Sequence, residues 1–196
     1  MKTKVIIISI LFIVIVTGCL SAKSLLPKNN ERGSRMSEKV LVAYFSRTGE
    51  QYGVGNITEG NTAIVAKMIA SRTGGDLFEI KPVVDNYPNG YNALVSFAKK
   101  EKDSKLRPEI VGKIDNMEDY DTIFLGYPNW WADMPMPVYT FIESYDLSNK
   151  KIYHFCTHEG SGGVKKEGLA MYGHTAQNDK IQAQNLVNEW LDKLGY

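Results

Sequence analysis

The most regular feature of the chain is a set of apolar runs that predict buried β-strands. The runs cover residues 40–45, 122–127 and 152–157. Their apolar positions are continuous rather than alternating, which is typical of strands covered on both faces in a parallel sheet. Residues 76–81 alternate more strongly and predict an edge strand. A further strand is expected around residues 168–172.

Amphipathic segments lie between these strands and predict helices. The first opens at residues 61–62, the second covers 91–98, the third covers 135–143, and the last begins near residues 178–179. Strands and helices therefore alternate along the chain. This order predicts a doubly wound α/β fold, with a five-stranded parallel sheet and helices on both faces.

The connection between the last two predicted strands is unusually short. It has about ten residues after Thr157, whereas a parallel crossover takes a dozen or more and usually carries a helix. The helix between the last two strands is therefore predicted to be missing. One face of the sheet would then lack cover, and this predicts a homodimer or a local rearrangement.

Residues 1–18 have the pattern of a secretory signal peptide. Lys2 and Lys4 precede a mostly apolar run at 5–16, and Cys19 follows small residues. The run is shorter than the about 20 apolar residues that span a bilayer. The ending before Cys19 resembles the lipobox of bacterial lipoproteins, in which the chain is cut before the cysteine and the cysteine is acylated. An uncleaved N-terminal anchor is the alternative interpretation.

The segment after this cysteine is polar and has no hydrophobic period. Residues 19–38 are therefore predicted to be a lipid-anchored flexible tether, which leaves residues 39–196 as the folded domain. The expected location is the outer side of a bacterial cytoplasmic membrane or the envelope. Met36 is a potential second start that would give a cytosolic form.

The charge and cysteine content exclude some classes of protein. The 196 residues carry 23 Lys plus Arg against 22 Asp plus Glu, a formal net charge of +1. The chain therefore lacks the basic excess of a nucleic-acid binder. Its 2 cysteines are too few for a disulfide scaffold.

Three loops follow the predicted central strands, at the edge of the sheet where such folds bind ligands. The first combines hydroxyl groups, a glycine turn and a helix N-terminus, which together favour a phosphate. The second has two adjacent tryptophans, of which we expect one to pack inward and one to meet a flat ligand. The third is rich in glycine, so its backbone N–H groups can approach a ring edge. The candidate ligand contacts are Ser46, Arg47, Thr48, Gly49, Asn61, Thr62, Pro128, Asn129, Trp130, Trp131, Thr157, His158, Glu159, Gly160, Ser161 and Gly162.

Together these loops resemble the FMN site of the flavodoxin-like family, in particular its branch with a long first loop. The resemblance begins near residue 39, continues to the C-terminus, and is carried by residues 44–49 with 60–62, by 121–131 and by 157–162. It implies that FMN is the cofactor, that the first loop holds its phosphate, and that the second and third loops flank its isoalloxazine ring.

The resemblance also implies roles for single residues. Trp130 would stack on the ring, and we expect Glu159 to lie near the pyrimidine edge, where its charge would lower the reduction potential. The flavin would perform the electron chemistry and the protein would tune it.

Two rival motifs are weaker. Residues 55–62 nearly fit a nucleotide P-loop, but asparagine replaces its lysine. His154, Cys156 and His158 alternate and imitate a metal triad, although a buried parallel strand places such residues in the core and no second ligand cluster supports them.

Within flavin chemistry, three functions stay open. The first is electron transfer through bound FMN. The second is an NAD(P)H-dependent oxidoreductase that acts on quinones or nitro compounds. The third is a surface module without flavin that binds a partner. Carriers of the family are usually strongly acidic, which this chain is not. No sequence feature identifies the electron donor or acceptor.

Overall fold

The computed structural model describes residues 38–163 and 167–196. The predicted signal peptide, Cys19 and nearly all of the predicted tether lie outside the described residues. In chain order the elements are β1 (Val40–Tyr44), β2 (Gly49–Gln51), β3 (Gly55–Ile57), α1 (Asn61–Thr73), β4 (Asp76–Glu79), α2 (Tyr91–Asp103), a 3-10 turn (Met117–Asp119), β5 (Thr122–Pro128), α3 (Met136–Glu143), β6 (Lys151–His158), β7 (Leu169–Tyr172), α4 (Gly173–Asn178) and α5 (Lys180–Leu194).

Five of the strands form one parallel sheet in the order β4-β1-β5-β6-β7. The predicted α/β fold and its parallel sheet are confirmed, and β4 is an edge strand as expected. β1 lies between β4 and β5, so successive strands are added on one side of β1 and then, from β5 onward, on its other side. The carboxyl ends of β1, β5 and β6 are neighbours, and their three loops therefore meet at one edge.

Helices cover both faces of this sheet. On one face α1, α4 and α5 pack against alternate strand residues such as Val42 and Phe124. On the other face α2 and α3 pack against Leu41, Ala43 and Leu125. Adjacent strand residues thus point into different cores, which explains why the central strands are apolar throughout.

The connection from β6 to β7 carries no helix among its described residues, 159–163 and 167–168. The loop instead runs directly over the sheet at Gly163, where an added Cβ would lie 2.7 Å from Cys156 Sγ. Further along, Tyr172 on β7 is 45% exposed. The prediction that this connection lacks a helix is confirmed for its described residues, whereas the homodimer stays a prediction.

Two features lie outside the sequence predictions. The long first loop folds into an antiparallel hairpin of β2 and β3, and α4 precedes the last helix. Asp179 caps α5 by accepting a hydrogen bond from the Gln182 N–H, as predicted.

Within residues 38–163 and 167–196, no helix combines the length and apolar character needed to cross a membrane.

Candidate functional site

A pocket lies at the carboxyl ends of β1, β5 and β6, with a volume of about 390 Å³. This is within the range of about 300–1,000 Å³ that is usual for small-molecule sites. The predicted contacts that line it are Ser46, Arg47, Asn61, Thr62, Pro128, Asn129, Trp130, Trp131, Thr157, His158, Glu159 and Ser161. The predicted contacts that do not line it are Thr48, Gly49, Gly160 and Gly162.

One end of the pocket is built for an anion. Helix α1 begins there after Gly60, with no acidic residue in its first turn and no side-chain hydrogen bond from the cap residue. The Ser46 hydroxyl accepts a hydrogen bond from the Ala63 N–H at 3.1 Å, so the first loop is fastened to the start of the helix. The N–H groups at such a helix start point outward and favour a negative charge.

Gly60 makes this close approach possible. A Cβ at Gly60 would lie 2.1 Å from Ser46 Oγ and 2.6 Å from the Arg47 carbonyl oxygen. Its φ of −69° and ψ of 145° suit any residue, so the glycine is required by space rather than by conformation.

Two hydroxyl groups join the first loop to the third. The hydroxyls of Thr62 and Thr157 are 2.8 Å apart and buried. This hydrogen bond connects the start of α1 to the end of β6 across the floor of the site.

Asn129 joins the second loop to the third. Its N–H donates to the Thr157 carbonyl at 2.9 Å, and its Nδ2 donates to Ser161 Oγ at 2.9 Å and to the Gly162 carbonyl at 2.6 Å. Its Oδ1 is buried and accepts no hydrogen bond within the described part of the chain. A buried acceptor without a donor is costly, and Asn129 is one of the residues that line the pocket.

The two tryptophans of the second loop diverge, as the sequence predicts. Trp130 is the inward one, and its ring packs edge-on against Phe45 and Tyr87, with centroids 5.4 and 5.5 Å apart. Trp131 is 46% exposed. Both line the pocket, but Trp130, to which the resemblance gives the stacking contact, is largely committed to the core.

Arg47 is engaged within the protein. Its guanidinium forms an ion pair with Asp85, donates from Nη2 to the Tyr87 carbonyl at 3.2 Å, and lies over the Tyr87 ring at 5.1 Å. Only 11% of its side chain is exposed. Asp85 compensates the charge of Arg47, and these contacts fasten the segment before α2 to the first loop. The Nε of Arg47 is buried and has no hydrogen-bond partner among the described residues, and Arg47 lines the pocket, so its contact with a phosphate stays a prediction.

Tyr87 continues this network into helix α2. Its hydroxyl donates to Glu101 at 2.7 Å, and both side chains are buried. Burial raises the pKa of the Glu101 carboxyl, against the effect of the hydrogen bond. Burial also raises the pKa of the Tyr87 hydroxyl. The pair therefore fixes α2 in position beside the site.

Glu159 and His158 are held by residues next to the third loop. Glu159 Oε1 accepts from the His174 N–H at 2.7 Å, and its Oε2 lies 2.8 Å from His174 Nδ1. His158 Nδ1 accepts from the Gly160 N–H at 3.0 Å, and burial lowers the pKa of its imidazole. The effect of Glu159 on a flavin potential stays a prediction.

No group of three His, Cys, Asp or Glu side chains in the described ranges could hold a metal ion, the alternating set His154, Cys156 and His158 included. Burial raises the pKa of the Cys156 thiol to about 12. Cys156 is thus a neutral core residue in this structure.

One wall of the pocket is formed by residues that no sequence motif indicates. Helix α2 and the β2–β3 hairpin supply Gln51, Tyr52, Tyr91, Leu94, Val95 and Ala98, and Ala132 adds to the second loop. The apolar periodicity of α2 predicts an amphipathic helix whose apolar side packs on the core. The sequence of the helix alone does not indicate that part of this apolar side lines the pocket.

The comparisons with known proteins agree with this geometry. A family model described as flavodoxin matches residues 39–193. A protein assigned as a flavoprotein from Bacteroides eggerthii is 30% identical, with 81% of this chain and 98% of that chain covered and a TM-score of 0.61. A protein with the same assignment from Bacteroides uniformis is 29% identical, with coverages of 80% and 99% and a TM-score of 0.62.

A flavoprotein from Lactobacillus acidophilus, solved in complex with FMN, is 22% identical; 79% of this chain and 87% of that chain are covered, with a TM-score of 0.53, which shows a shared fold. No curated protein matches the chain. The family match spans nearly the whole described domain, and the pocket lies where this fold binds its ligand. The chain therefore belongs to the flavodoxin family.

Proposed function

We propose that the protein binds FMN in this pocket and acts as a redox protein through it. The observation that carries the proposal is that one pocket combines an anion cradle at the start of α1 with a mainly apolar part, lined by Trp130, Trp131 and the apolar side chains of α2. FMN has a phosphate at one end and a planar ring at the other, so it matches both parts. When bound, it supplies the electron chemistry.

The residues of the chain have separate tasks in this proposal. Ser46, Asn61 and Thr62 would hold the phosphate, because the Ser46 hydroxyl accepts from Ala63 and can still donate its own proton to a phosphate oxygen. Asn129 and Thr157, which both line the pocket, would orient the ring edge. The FMN found in the Lactobacillus acidophilus protein supports this choice of cofactor.

The test is to titrate flavin-free protein with FMN and, separately, with riboflavin, which has the ring but no phosphate. We expect one FMN per chain and at least roughly tenfold weaker riboflavin binding, since a charge-assisted phosphate contact contributes more than about 1.4 kcal/mol. Equal affinities would contradict the anion cradle, and failure to bind either flavin would contradict the proposed function.

A second candidate is an oxidoreductase that takes electrons from NAD(P)H and passes them to a small acceptor. Two observations favour it over a diffusing carrier. The net charge is near zero, +1 for the whole chain and 21 − 22 = −1 without residues 1–18, which gives no strong electrostatic attraction to a protein partner. The pocket also has a wall from α2 and the hairpin beside its three loops. Continuous NAD(P)H oxidation that requires both bound FMN and an added quinone would support this candidate.

We also propose that residues 1–18 are a cleaved signal peptide and that Cys19 carries the lipid anchor. The support is the sequence pattern around Cys19. Mass spectrometry of the mature protein from a bacterial membrane fraction should find an acylated N-terminal Cys19. A Cys19→Ala variant that stays in the same fraction with the same mass change would refute lipidation.

A further inference from the structure

The bend before helix α2 contains an asparagine followed directly by a glycine. Asn89 is the only asparagine of the sequence in this position. Asn89 and Gly90 are both exposed, and Gly90 is the N-cap residue of α2. Neither residue lines the pocket. Such a pair is chemically labile, because a glycine has no Cβ and leaves its backbone nitrogen open to attack on the asparagine side chain.

The reacting groups of this pair are not held by the fold. Among the described residues, the Gly90 N–H donates no hydrogen bond and the Asn89 side-chain amide makes none. A Cβ at Gly90 would have only Glu50 Oε2 within 4 Å, at 3.8 Å, so the space around the glycine is open. The two groups can therefore approach each other without breaking a hydrogen bond or displacing a neighbour.

The same bend joins the β2–β3 hairpin to α2. The Asn89 carbonyl accepts a hydrogen bond from the Glu50 N–H at 3.4 Å, and Glu50 Oε2 accepts one from the Tyr91 N–H at 2.9 Å. Both bonds of Glu50 thus depend on the main-chain path from Asn89 to Tyr91. A change in the number of atoms along this path would alter the distance between the two contacts.

We propose that Asn89 is a site of spontaneous deamidation and of isomerisation to isoaspartate. The Gly90 nitrogen loses its proton and bonds to the side-chain carbonyl carbon of Asn89, while the bond from that carbon to the amide nitrogen breaks. Ammonia leaves and a cyclic succinimide remains. Water then opens the ring at either carbonyl and gives aspartate or isoaspartate, so the sum is one water consumed and one ammonia released, with no change in oxidation state. The inference does not depend on the proposed FMN site.

The two products differ in their effect on the bend. Aspartate keeps the main chain and adds a negative charge beside the start of α2, where the helix dipole favours it. Isoaspartate carries the main chain through the former side chain, which inserts a methylene group between the two contacts of Glu50. Its freed carboxylate also adds a like charge to the bend that holds the Glu50 carboxylate. We expect the isoaspartate form to separate the hairpin from α2 more readily.

The first experiment incubates the native full chain at neutral pH and maps its peptides by mass spectrometry, with chromatography to distinguish aspartate from isoaspartate. We expect Asn89 to react before any other asparagine. Gly90→Ala should slow the reaction at least roughly tenfold, because the added methyl group hinders ring closure. The open space around Gly90 accommodates this alanine. The proposal is overturned if Asn89 reacts only in urea, if another asparagine reacts first in the native protein, or if Gly90→Ala reacts at the same rate.

Hydrogen exchange on the incubated samples tests the effect on the hairpin. The amides of Glu50 and Tyr91 should exchange roughly fivefold faster in the isoaspartate form, a factor that corresponds to the loss of one ordinary hydrogen bond. The control is Asn89→Gln incubated in the same way, since its longer side chain closes such a ring far more slowly. Asn89→Asp adds the charge without the methylene group and should exchange like this control. Equal exchange in the isoaspartate form and the control, or equally fast exchange in Asn89→Asp, would overturn the proposed effect on the hairpin.

Discussion

Replacing Gly60 by alanine tests the anion cradle directly. The new Cβ would lie 2.1 Å from Ser46 Oγ and 2.6 Å from the Arg47 carbonyl oxygen, so the hydroxyl and the backbone must both move. Overpacking of this kind costs about 1–3 kcal/mol. If the displacement moves the groups that contact the phosphate, the whole cost appears in FMN binding. The dissociation constant of FMN should then rise roughly 5- to 150-fold, since about 1.4 kcal/mol corresponds to a factor of ten.

The matched control is Gly90→Ala. Gly90 caps α2 with φ of −78° and ψ of 135°, close to the conformation of Gly60, and its Cβ would meet only Glu50 Oε2 at 3.8 Å. Both alanines have the same effect on the unfolded chain. The assays are urea unfolding of the flavin-free variants and FMN titration. If Gly60→Ala binds FMN as tightly as Gly90→Ala does, the phosphate is not held where α1 meets the first loop.

Three further predictions use other residues of the domain. Burial raises the pKa of Glu101 above 4.5 in the folded protein. Its contribution to stability is therefore full below about pH 4.5 and is lost as the pH rises through the folded pKa. Glu101→Gln keeps an acceptor for Tyr87 and should remove this loss, which urea unfolding between about pH 4.5 and pH 7 would detect; parallel curves would contradict it. Cys156, with a pKa of about 12, should resist iodoacetamide in the native protein and react after unfolding; rapid native labelling would show that the thiol is accessible. Glu159→Gln should raise the flavin midpoint potential, because it removes a negative charge that disfavours the anionic reduced flavin; unchanged potentials would place the carboxylate away from the ring.

The fold could be predicted because its main signals are local. Continuous apolar runs such as 122–127 indicate strands buried on both faces, and the short connection after Thr157 indicates a missing helix. The three loops follow from the rule that ligands bind at the carboxyl ends of the strands. These inferences need only the order of elements and the residue types at their ends.

The rest of the site depends on contacts between distant parts of the chain. The first loop predicts Arg47 as a phosphate contact, but no local pattern predicts that Asp85 and Tyr87 also bind its guanidinium. The hairpin that presents Tyr52 is built from two short, mostly polar strands with no alternating apolar residues. Side-chain contacts and strand pairings of this kind can be identified only in the folded structure, where both partners lie close together.

The same distant pairings determine the electrostatics of the pocket. Arg47 is compensated by Asp85, and Glu159 faces His174. A phosphate at α1 would then rely largely on neutral groups, which are Ser46, Asn61, Thr62 and the dipole of the helix start. Neutral donors hold an anion without drawing other charged molecules to the site from a distance, since a long-range field requires net charge. The local pairing and the near-zero net charge, +1 for the whole chain and 21 − 22 = −1 without residues 1–18, therefore lead to the same proposal. We propose that recognition at this pocket depends on shape and stacking at short range, which favours the small acceptor of the second candidate function over a highly charged protein partner.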